Sequence, residues 1–74
     1  MNKLKGVTLW FDVKKGFGFI KGEDGVDYFA HFSKIIAPDG EFRLLEEGQK
    51  VEFEPFFVER GDSKKPQAKD IRSI

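Results

Sequence analysis

The chain has 74 residues, no cysteine and one histidine, and its 13 basic and 13 acidic residues give a net charge of zero. This length suits one small domain, and the absence of thiols excludes disulfides and thiolate metal sites. No segment approaches the ~20 apolar residues of a membrane span, and the N-terminus lacks the apolar run of a signal peptide. We therefore expect a single domain over residues 1–74, a cytoplasmic location and no membrane partner.

The first predicted strand runs from Lys3 to Asp12, where β-branched and aromatic residues alternate with other residues. Alternation alone would bury Val7 and Leu9 on one face and leave Thr8 on the other. The glycine-containing segment that follows, Val13 to Gly16, predicts a turn into the second strand.

The second and third predicted strands, Phe17 to Lys21 and Val26 to Phe32, are joined by a short, turn-rich link that favours an antiparallel hairpin. Period-2 alternation gives this hairpin one aromatic face, formed by Phe17, Phe19, Phe29 and His31. The opposite face carries the residues expected in the core, namely Ile20, Tyr28 and Ala30. Exposed rings bordered by lysines suit a ligand with flat bases and a charged backbone, such as single-stranded nucleic acid.

Three motifs in this region resemble the ribonucleoprotein motifs of the cold-shock domain family: Trp10-Phe11-Asp12, Lys15-Gly16-Phe17-Gly18-Phe19-Ile20 and Phe29-Ala30-His31-Phe32-Ser33. Further matches lie in the C-terminal half, at Leu45 to Gln49, at Val51-x-Phe53 and at Pro66-Gln67-Ala68, so the resemblance covers nearly the whole chain. It implies an all-β fold, a five-stranded antiparallel β-barrel of the oligonucleotide/oligosaccharide-binding type. Family members bind single-stranded DNA and RNA and act as RNA chaperones and transcription antiterminators, often in response to cold.

The resemblance and the alternation pattern disagree about the first strand. In the family, the positions of Val7 and Leu9 are usually lysines that face the ligand, and the position of Thr8 faces inward. We follow the resemblance, because a strand of a small bent barrel need not keep strict alternation. The predicted ligand face has therefore lost two cations and gained two apolar side chains. Asp12 stands where the family commonly has asparagine, which places an anion near the ligand.

After the third strand we expect one helical turn over Phe32 to Ile36, with Ile35 and Ile36 filling the barrel, and then a long loop from Ala37 to Gly48.

The fourth predicted strand is Gln49 to Val58, in which Pro55 indicates a sheet edge or a bulge. A polar loop is predicted from Glu59 to Lys65, and the fifth strand from Pro66 to Ile74, with Ala68 and Ile71 pointing inward.

From periodicity alone, the rings at Phe17, Phe19 and Phe29 fit a buried core as well as they fit a surface. The resemblance favours exposure. His31 is predicted to stack on a base, because no nucleophile or orienting carboxylate is recognisable beside it. Trp10 is compatible with both a core anchor and a ligand platform.

The predicted nucleic-acid-binding set combines stacking rings with cations that suit phosphate, although each cation is equally consistent with an ordinary solvated charge. The set is Trp10, Phe11, Lys14, Lys15, Phe17, Phe19, Lys21, Phe29, His31, Phe32, Phe42 and Arg43.

The prediction is a monomeric, non-enzymatic protein that binds single-stranded RNA and DNA with low sequence specificity. We expect no cofactor, no metal site, no catalytic residue and no small-molecule substrate. The alternative is a protein-interaction module on the same barrel with weakened nucleic-acid binding, an idea motivated by the apolar residues Val7 and Leu9.

Overall fold

A computed structural model describes residues 3–37 and 44–74, so the predicted site residues Phe42 and Arg43 lie outside the described part of the chain. Five strands form a closed barrel in the order β1-β2-β3-β5-β4. The prediction of an all-β, five-stranded barrel is confirmed. The elements are β1 (Leu4–Asp12), β2 (Phe17–Gly22), β3 (Asp27–His31), a 3-10 turn (Phe32–Lys34), β4 (Lys50–Arg60) and β5 (Ser63–Ser73).

Antiparallel ladders join β1 to β2, β2 to β3, β1 to β4 and β4 to β5. The ladder that closes the barrel between β3 and β5 is parallel, with Phe29 opposite Gln67 and Ala30 opposite Ala68. The barrel is therefore antiparallel, as predicted, everywhere except at this short closure. In the described ranges no helix has the length and apolar character needed to cross a membrane.

The barrel interior is filled by the face of the β2–β3 hairpin that the sequence predicted for the core. Ile20 and Ala30 are 0% exposed and Tyr28 is 2% exposed. The remaining core residues come from the position just after the 3-10 turn and from the C-terminal half: Ile35, Leu45, Val51, Phe53, Ala68 and Ile71. Because this set closes the core, the aromatic face of the hairpin lies on the outside of the barrel.

The expectation that Ile35 and Ile36 both fill the barrel is right for Ile35 and wrong for Ile36, which is 42% exposed. Ile35 has extended backbone angles and bridges to Ile71 of β5. Since successive side chains of an extended segment point to opposite sides, burial of Ile35 directs Ile36 to solvent.

Strand β1 has the orientation that the family resemblance implied. Thr8 is 1% exposed, whereas Val7 and Leu9 are 42% and 37% exposed. The ladder between β1 and β2 shifts register between Thr8 and Trp10, which is the signature of a β-bulge. The extra residue allows Leu9 and Trp10 both to reach the outside of the barrel, so simple alternation fails here.

The segment from Glu59 to Lys65 was predicted as a polar loop, and that prediction is wrong. Glu59 pairs with Lys64 and Arg60 with Ser63, so β4 and β5 continue to a two-residue turn at Gly61 and Asp62. Gly61 has a positive φ of 59°, a conformation that glycine adopts without steric cost. We call residues 56–67 of this hairpin the β4–β5 arm.

Pro55 lies at the base of this arm, where the sequence indicated an edge or a bulge. The ladder with β1 ends at the pair Leu4 and Phe53, so Pro55 has no β1 partner among the described residues. A register shift also occurs beside it, between Glu52 and Glu54 in the ladder with β5. The expected sheet edge is therefore confirmed at Pro55, whereas the bulge lies just before it.

Candidate nucleic-acid interface

Four aromatic rings form one continuous cluster on the outside of the barrel, which we call the ring cluster: Trp10, Phe17, Phe19 and Phe29. The ring centroid of Trp10 lies 6.1 Å from that of Phe17 and 5.6 Å from that of Phe19. Phe29 lies 5.6 Å from Phe17 and 5.7 Å from Phe19. These separations are typical of aromatic rings in contact, so the four side chains form one apolar surface.

Strand register explains why the rings meet. Phe19 is directly opposite Phe29 across the β2–β3 ladder and opposite Trp10 across the β1–β2 ladder. Phe17 lies two positions before Phe19 along β2, so the two rings share one face of the strand. Cross-strand pairs of this kind bring side chains into contact and fix the cluster on a rigid sheet.

The cluster is accessible but not fully exposed. Trp10 is 44% exposed, and the three phenylalanines are half-buried. None of the four belongs to the buried core, so the interpretation of these rings as core residues does not hold. Rings that pack beside one another on a barrel surface keep part of their area free, and that area is available to a flat ligand.

A second aromatic pair lies next to the ring cluster. His31, opposite Phe17 across the β2–β3 ladder, has its ring centroid 4.6 Å from that of Phe32. Phe32 is 45% exposed. The Nδ1 atom of His31 accepts a hydrogen bond from the backbone N–H of Ser33 at 3.2 Å and lies 2.8 Å from the Ser33 Oγ. His31 therefore caps the 3-10 turn, and these contacts orient its ring.

Two glycines of the Lys15–Ile20 motif lie so close to neighbouring atoms that no side chain fits there. A Cβ atom on Gly18 would lie 2.1 Å from the carbonyl oxygen of Trp10, so a side chain there would separate β1 from β2. Gly16 has a φ of 77°, and a Cβ on it would lie 2.7 Å from the ring of Phe32. Both glycines therefore allow the close packing that places these aromatic residues on the outside of the barrel.

Phe11 is placed differently from the other predicted rings. It is half-buried and packs against the hydrophobic core, opposite Gly18 in the β1–β2 ladder. The β-bulge that turns both Leu9 and Trp10 outward returns the next residue, Phe11, to the inner side. Its contribution to a ligand surface is therefore smaller than that of Trp10.

Asp12, the acidic residue that stands in place of the family's common asparagine, has a structural use. Its Oδ1 accepts hydrogen bonds from the backbone N–H groups of Lys14 and Lys15, at 2.9 and 3.1 Å. This contact is a turn in which a side chain replaces a backbone acceptor, and an asparagine oxygen would serve equally well. The carboxylate thus orders the turn that presents the two exposed lysines.

The predicted cation Lys21 is exposed and continues the aromatic face of β2 beyond Phe17 and Phe19. Lys14 and Lys15 are exposed in the turn before β2. Lys14 and Lys15 therefore lie at the N-terminal end of the β2 face, and Lys21 lies at its C-terminal end.

Sequence reasoning missed a third group of cations, on the β4–β5 arm. A cleft of about 450 Å³ lies between the ring cluster and the arm, and its lining includes Phe19, Phe29, Arg60, Lys64 and Lys65. Lys64 lies 3.6 Å from Glu59, but both side chains are about 70% exposed, so that ion pair is weak. Residues that the sequence assigned to a distant loop therefore border the rings.

A signal for this arm was present in the sequence. A Gly-Asp pair between two extended segments is a recognised two-residue hairpin turn, and Gly61-Asp62 has that form. The run of charged residues around it hid the strand character, because charge and turn chemistry both favour a loop assignment.

Tyr28, on the inner face of the β2–β3 hairpin, stabilises the hairpin that carries the rings. Its hydroxyl donates a hydrogen bond of 2.6 Å to Oδ2 of Asp24, whose Oδ1 accepts from the backbone N–H of Val26 at 3.1 Å. Burial, together with the neighbouring Asp24 carboxylate, raises the pKa of Tyr28 to about 12. The hydrogen bond from Tyr28 in turn lowers the pKa of Asp24. This pair ties the β2–β3 turn to the core.

A closed five-stranded barrel with an external aromatic face and bordering cations has the architecture of an oligonucleotide-binding barrel. The model of the 'Cold-shock' DNA-binding domain family matches residues 4–74. The chain therefore belongs to the cold-shock domain family, as the motif resemblance indicated.

The chain is similar to curated cold shock proteins over most of their length. The chain is 52% identical over 66 residues to cold shock protein 1 of Lactiplantibacillus plantarum, covering 89% of this chain and 91% of that protein. It is 49% identical over 70 residues to the major cold shock protein of Streptococcus pyogenes serotype M1, covering 95% and 96%. It is 48% identical over 68 residues to the cold shock-like protein CspC of Bacillus cereus, covering 92% and 95%.

Family membership assigns the chain to nucleic-acid-binding proteins and supports the prediction that it is not an enzyme. Within residues 3–37 and 44–74 no cluster of three or more His, Asp and Glu side chains could hold a metal ion.

Proposed function

We propose that this chain binds single-stranded RNA and DNA by stacking successive bases on the ring cluster and on the neighbouring His31–Phe32 pair. The observation that carries the proposal is the position of the four contacting rings on the outside of a barrel whose core is complete without them. A duplex hides the faces of its bases, so this surface selects unpaired strands.

Stacking supplies enough free energy for this task even in a chain of zero net charge. Each stacked base contributes roughly 1–3 kcal/mol, so three or four stacking positions give useful affinity with a modest phosphate contribution. Stacking accepts every base, and sequence specificity is therefore low, with a mild pyrimidine preference that the family resemblance implies.

The phosphate backbone passes along the cations that border the rings. We assign Lys14, Lys15 and Lys21 to this role, because all three are exposed beside the β2 face. The cations of the arm, Lys64 and Lys65, extend the path, because they line the cleft next to Phe19 and Phe29. Trp10 and Phe32, which are 44% and 45% exposed, are assigned to stacking at the two sides of the surface.

A protein with this activity works as a cytoplasmic monomer that traps unpaired RNA and so melts RNA secondary structure by mass action. The same activity acts in transcription antitermination and during the response to cold. No energy source is required, because binding to the single strand shifts the pairing equilibrium by an amount set by the affinity and the protein concentration.

A fluorescence titration tests the proposal directly. The chain has one tryptophan, and Trp10 belongs to the ring cluster, so its emission reports on that surface alone. Oligothymidine should quench the emission with a saturable curve, and a duplex of the same length should bind more weakly. Absence of saturable quenching would favour the protein-interaction module, and equal affinity for single strand and duplex would rule out stacking.

A further inference from the structure

A second, distinctly apolar groove lies on the outside of the barrel at the other end of β1. It has a volume of about 600 Å³, and its lining includes Lys5, Val7, Leu9, Lys21, Lys50 and Ile74. The apolar side chains there are accessible: Val7 is 42%, Leu9 37% and Ile74 60% exposed. The ring cluster does not contribute to this groove, so no stacking position assigned above uses it.

The groove is continuous with the ring cluster along the β1–β2 ladder. Leu9 precedes Trp10 in the chain, and Val7 is directly opposite Lys21, which follows Phe19 on the outer face of β2. On the other side of β1, Val7 is opposite Lys50 of β4. A strand that leaves the rings past Trp10 and Phe19 therefore reaches this groove next.

Three lysines and one carboxylate, Glu23, border the apolar floor. Lys21 and Lys50 flank Val7 from the two neighbouring strands, and Lys5 lies two residues before it on β1. Neither Lys21 nor Lys50 forms an ion pair with another residue of the described ranges. An apolar floor with cations on both sides suits a ligand unit that has a flat, weakly polar part and one negative charge.

We propose that this groove binds one further nucleotide of the strand held on the ring cluster, with its base against Val7, Leu9 and Ile74 and its phosphate near Lys21 and Lys50. The inference rests on the proposed function, since the same strand must first occupy the rings. A nucleotide is favoured over an apolar peptide because the groove continues the surface proposed to stack bases and because three of the four charged residues that line it are lysines.

The test uses oligothymidines lengthened one nucleotide at a time, each also prepared with an abasic residue at one end or the other. Once the strand is long enough to pass Trp10, removal of the terminal base at one end should weaken binding to the wild-type protein. We expect a loss of roughly three- to tenfold, in line with the loss of a few tens of Å² of buried apolar area.

Two variants should make that terminal base unimportant, namely Leu9→Ser and Ile74→Ser. The second guards against unfolding, because Ile74 is 60% exposed at the end of the described chain. Both should bind strands too short to reach the groove as tightly as the wild-type protein does. Ile36→Ser is the matched control, since Ile36 is as exposed as Val7, at 42%, and lies outside the groove.

The outcomes separate this inference from the proposed function. If short strands bind but the terminal base never matters, the groove does not take a nucleotide and the ring cluster stands. If Leu9→Ser and Ile74→Ser weaken short and long strands equally, the groove is not a separate site. If no strand binds the wild-type protein, the proposed function itself fails.

Discussion

Replacing Phe29 with alanine should weaken binding of the strand while leaving the domain folded. Phe29 is the central ring of β3, in contact with both Phe17 and Phe19, and it is half-buried outside the core. Loss of one stacking position costs roughly 1–3 kcal/mol, which raises Kd about 5- to 150-fold. Loss of the two ring contacts lowers the free energy of unfolding by about 1–3 kcal/mol in total.

The opposing variant is Ile20→Ala, on the other face of the same hairpin. Ile20 is 0% exposed, so truncation leaves a cavity and should cost about 2–5 kcal/mol of stability. Its folded fraction should bind with the wild-type affinity, because Ile20 does not reach the surface. The milder Ile20→Val, at about 0.5–1.5 kcal/mol, provides a version that remains folded if alanine does not.

Trp10 emission measures binding in this experiment, and urea unfolding measures stability. Phe29 is a suitable target because Trp10 contacts Phe17 and Phe19, so the local surroundings of the reporter change little in Phe29→Ala. The reasoning is refuted if Phe29→Ala unfolds the domain while the folded remainder binds with unchanged Kd. In that case Phe29 would act as a core residue despite its position.

Three further predictions address other parts of the structure. Leu9→Lys should steepen the fall of log affinity with log salt by about 0.7 and should tighten binding at low salt of a strand long enough to reach the groove. Leu9→Ala should leave the slope unchanged. A salt series measures both slopes, and unfolding of Leu9→Lys would contradict the exposed placement of Leu9. The buried Thr8 hydroxyl has no hydrogen-bond partner among the described residues, so Thr8→Val should stabilise the domain by about 1 kcal/mol. Thermal unfolding should show a rise in Tm of about 4–8 °C. A lower Tm would show that the hydroxyl is hydrogen-bonded in the folded protein. The pKa of Tyr28 is raised from 10.0 to about 12, so the unfolded chain ionises first and stability should fall between pH 10 and pH 12. Tyr28→Phe should remove the part of this stability loss that Tyr28 causes. Urea unfolding of both proteins between pH 10 and pH 12 measures it, and an equal loss of stability in wild type and variant would contradict the prediction.

The β2–β3 hairpin could be predicted from the sequence because its alternation is regular. Ile20, Tyr28 and Ala30 are buried as predicted, since no bulge interrupts the ladder between these strands. When register is regular, period 2 alone assigns each side chain to a face. Alternation placed the rings together on one face of the hairpin, and the family resemblance indicated that this face is the outer one.

Two features of β1 misled the alternation pattern. Val7, Thr8 and Leu9 do alternate, but the polar Thr8 faces the core and the apolar pair faces outward. The bulge then changes the face of the residues that follow it, Trp10 and Phe11. The shift between Thr8 and Trp10 has no distinctive sequence signal in this chain. Motif resemblance gave the right orientation for Val7 and Leu9, which exposure of 42% and 37% confirms. Position within a known family thus supplied information that local physical rules lack.

The β4–β5 arm was missed for the opposite reason. The Gly-Asp turn signal correctly indicated a hairpin, but the charged composition of the segment led to its assignment as a loop. Its ladder runs to Arg60 and Ser63, although Asp, Lys and Gly dominate the segment. Cross-strand pairing of opposite charges, as between Glu59 and Lys64, lets a polar segment remain extended. The arm cations were missed as candidate site residues for the same reason, since a residue assigned to a loop has no predicted neighbours.

The zero net charge of the chain does not argue against strand binding, because the charges have different uses. Two carboxylates near the hairpin are occupied in local structure: Asp12 accepts two backbone hydrogen bonds, and Asp24 accepts from Tyr28 and Val26. A third, Asp27, is exposed and lies opposite Lys21 across the β2–β3 ladder. Cations beside the rings, such as Lys15 and Lys21, are exposed. A sum over the chain counts both groups equally, whereas a bound strand interacts mainly with charges within about 10 Å at moderate salt. The local balance beside the rings is what sets the phosphate contribution. Stacking, which salt hardly affects, should therefore carry a larger share of binding here than in a relative with lysines on β1.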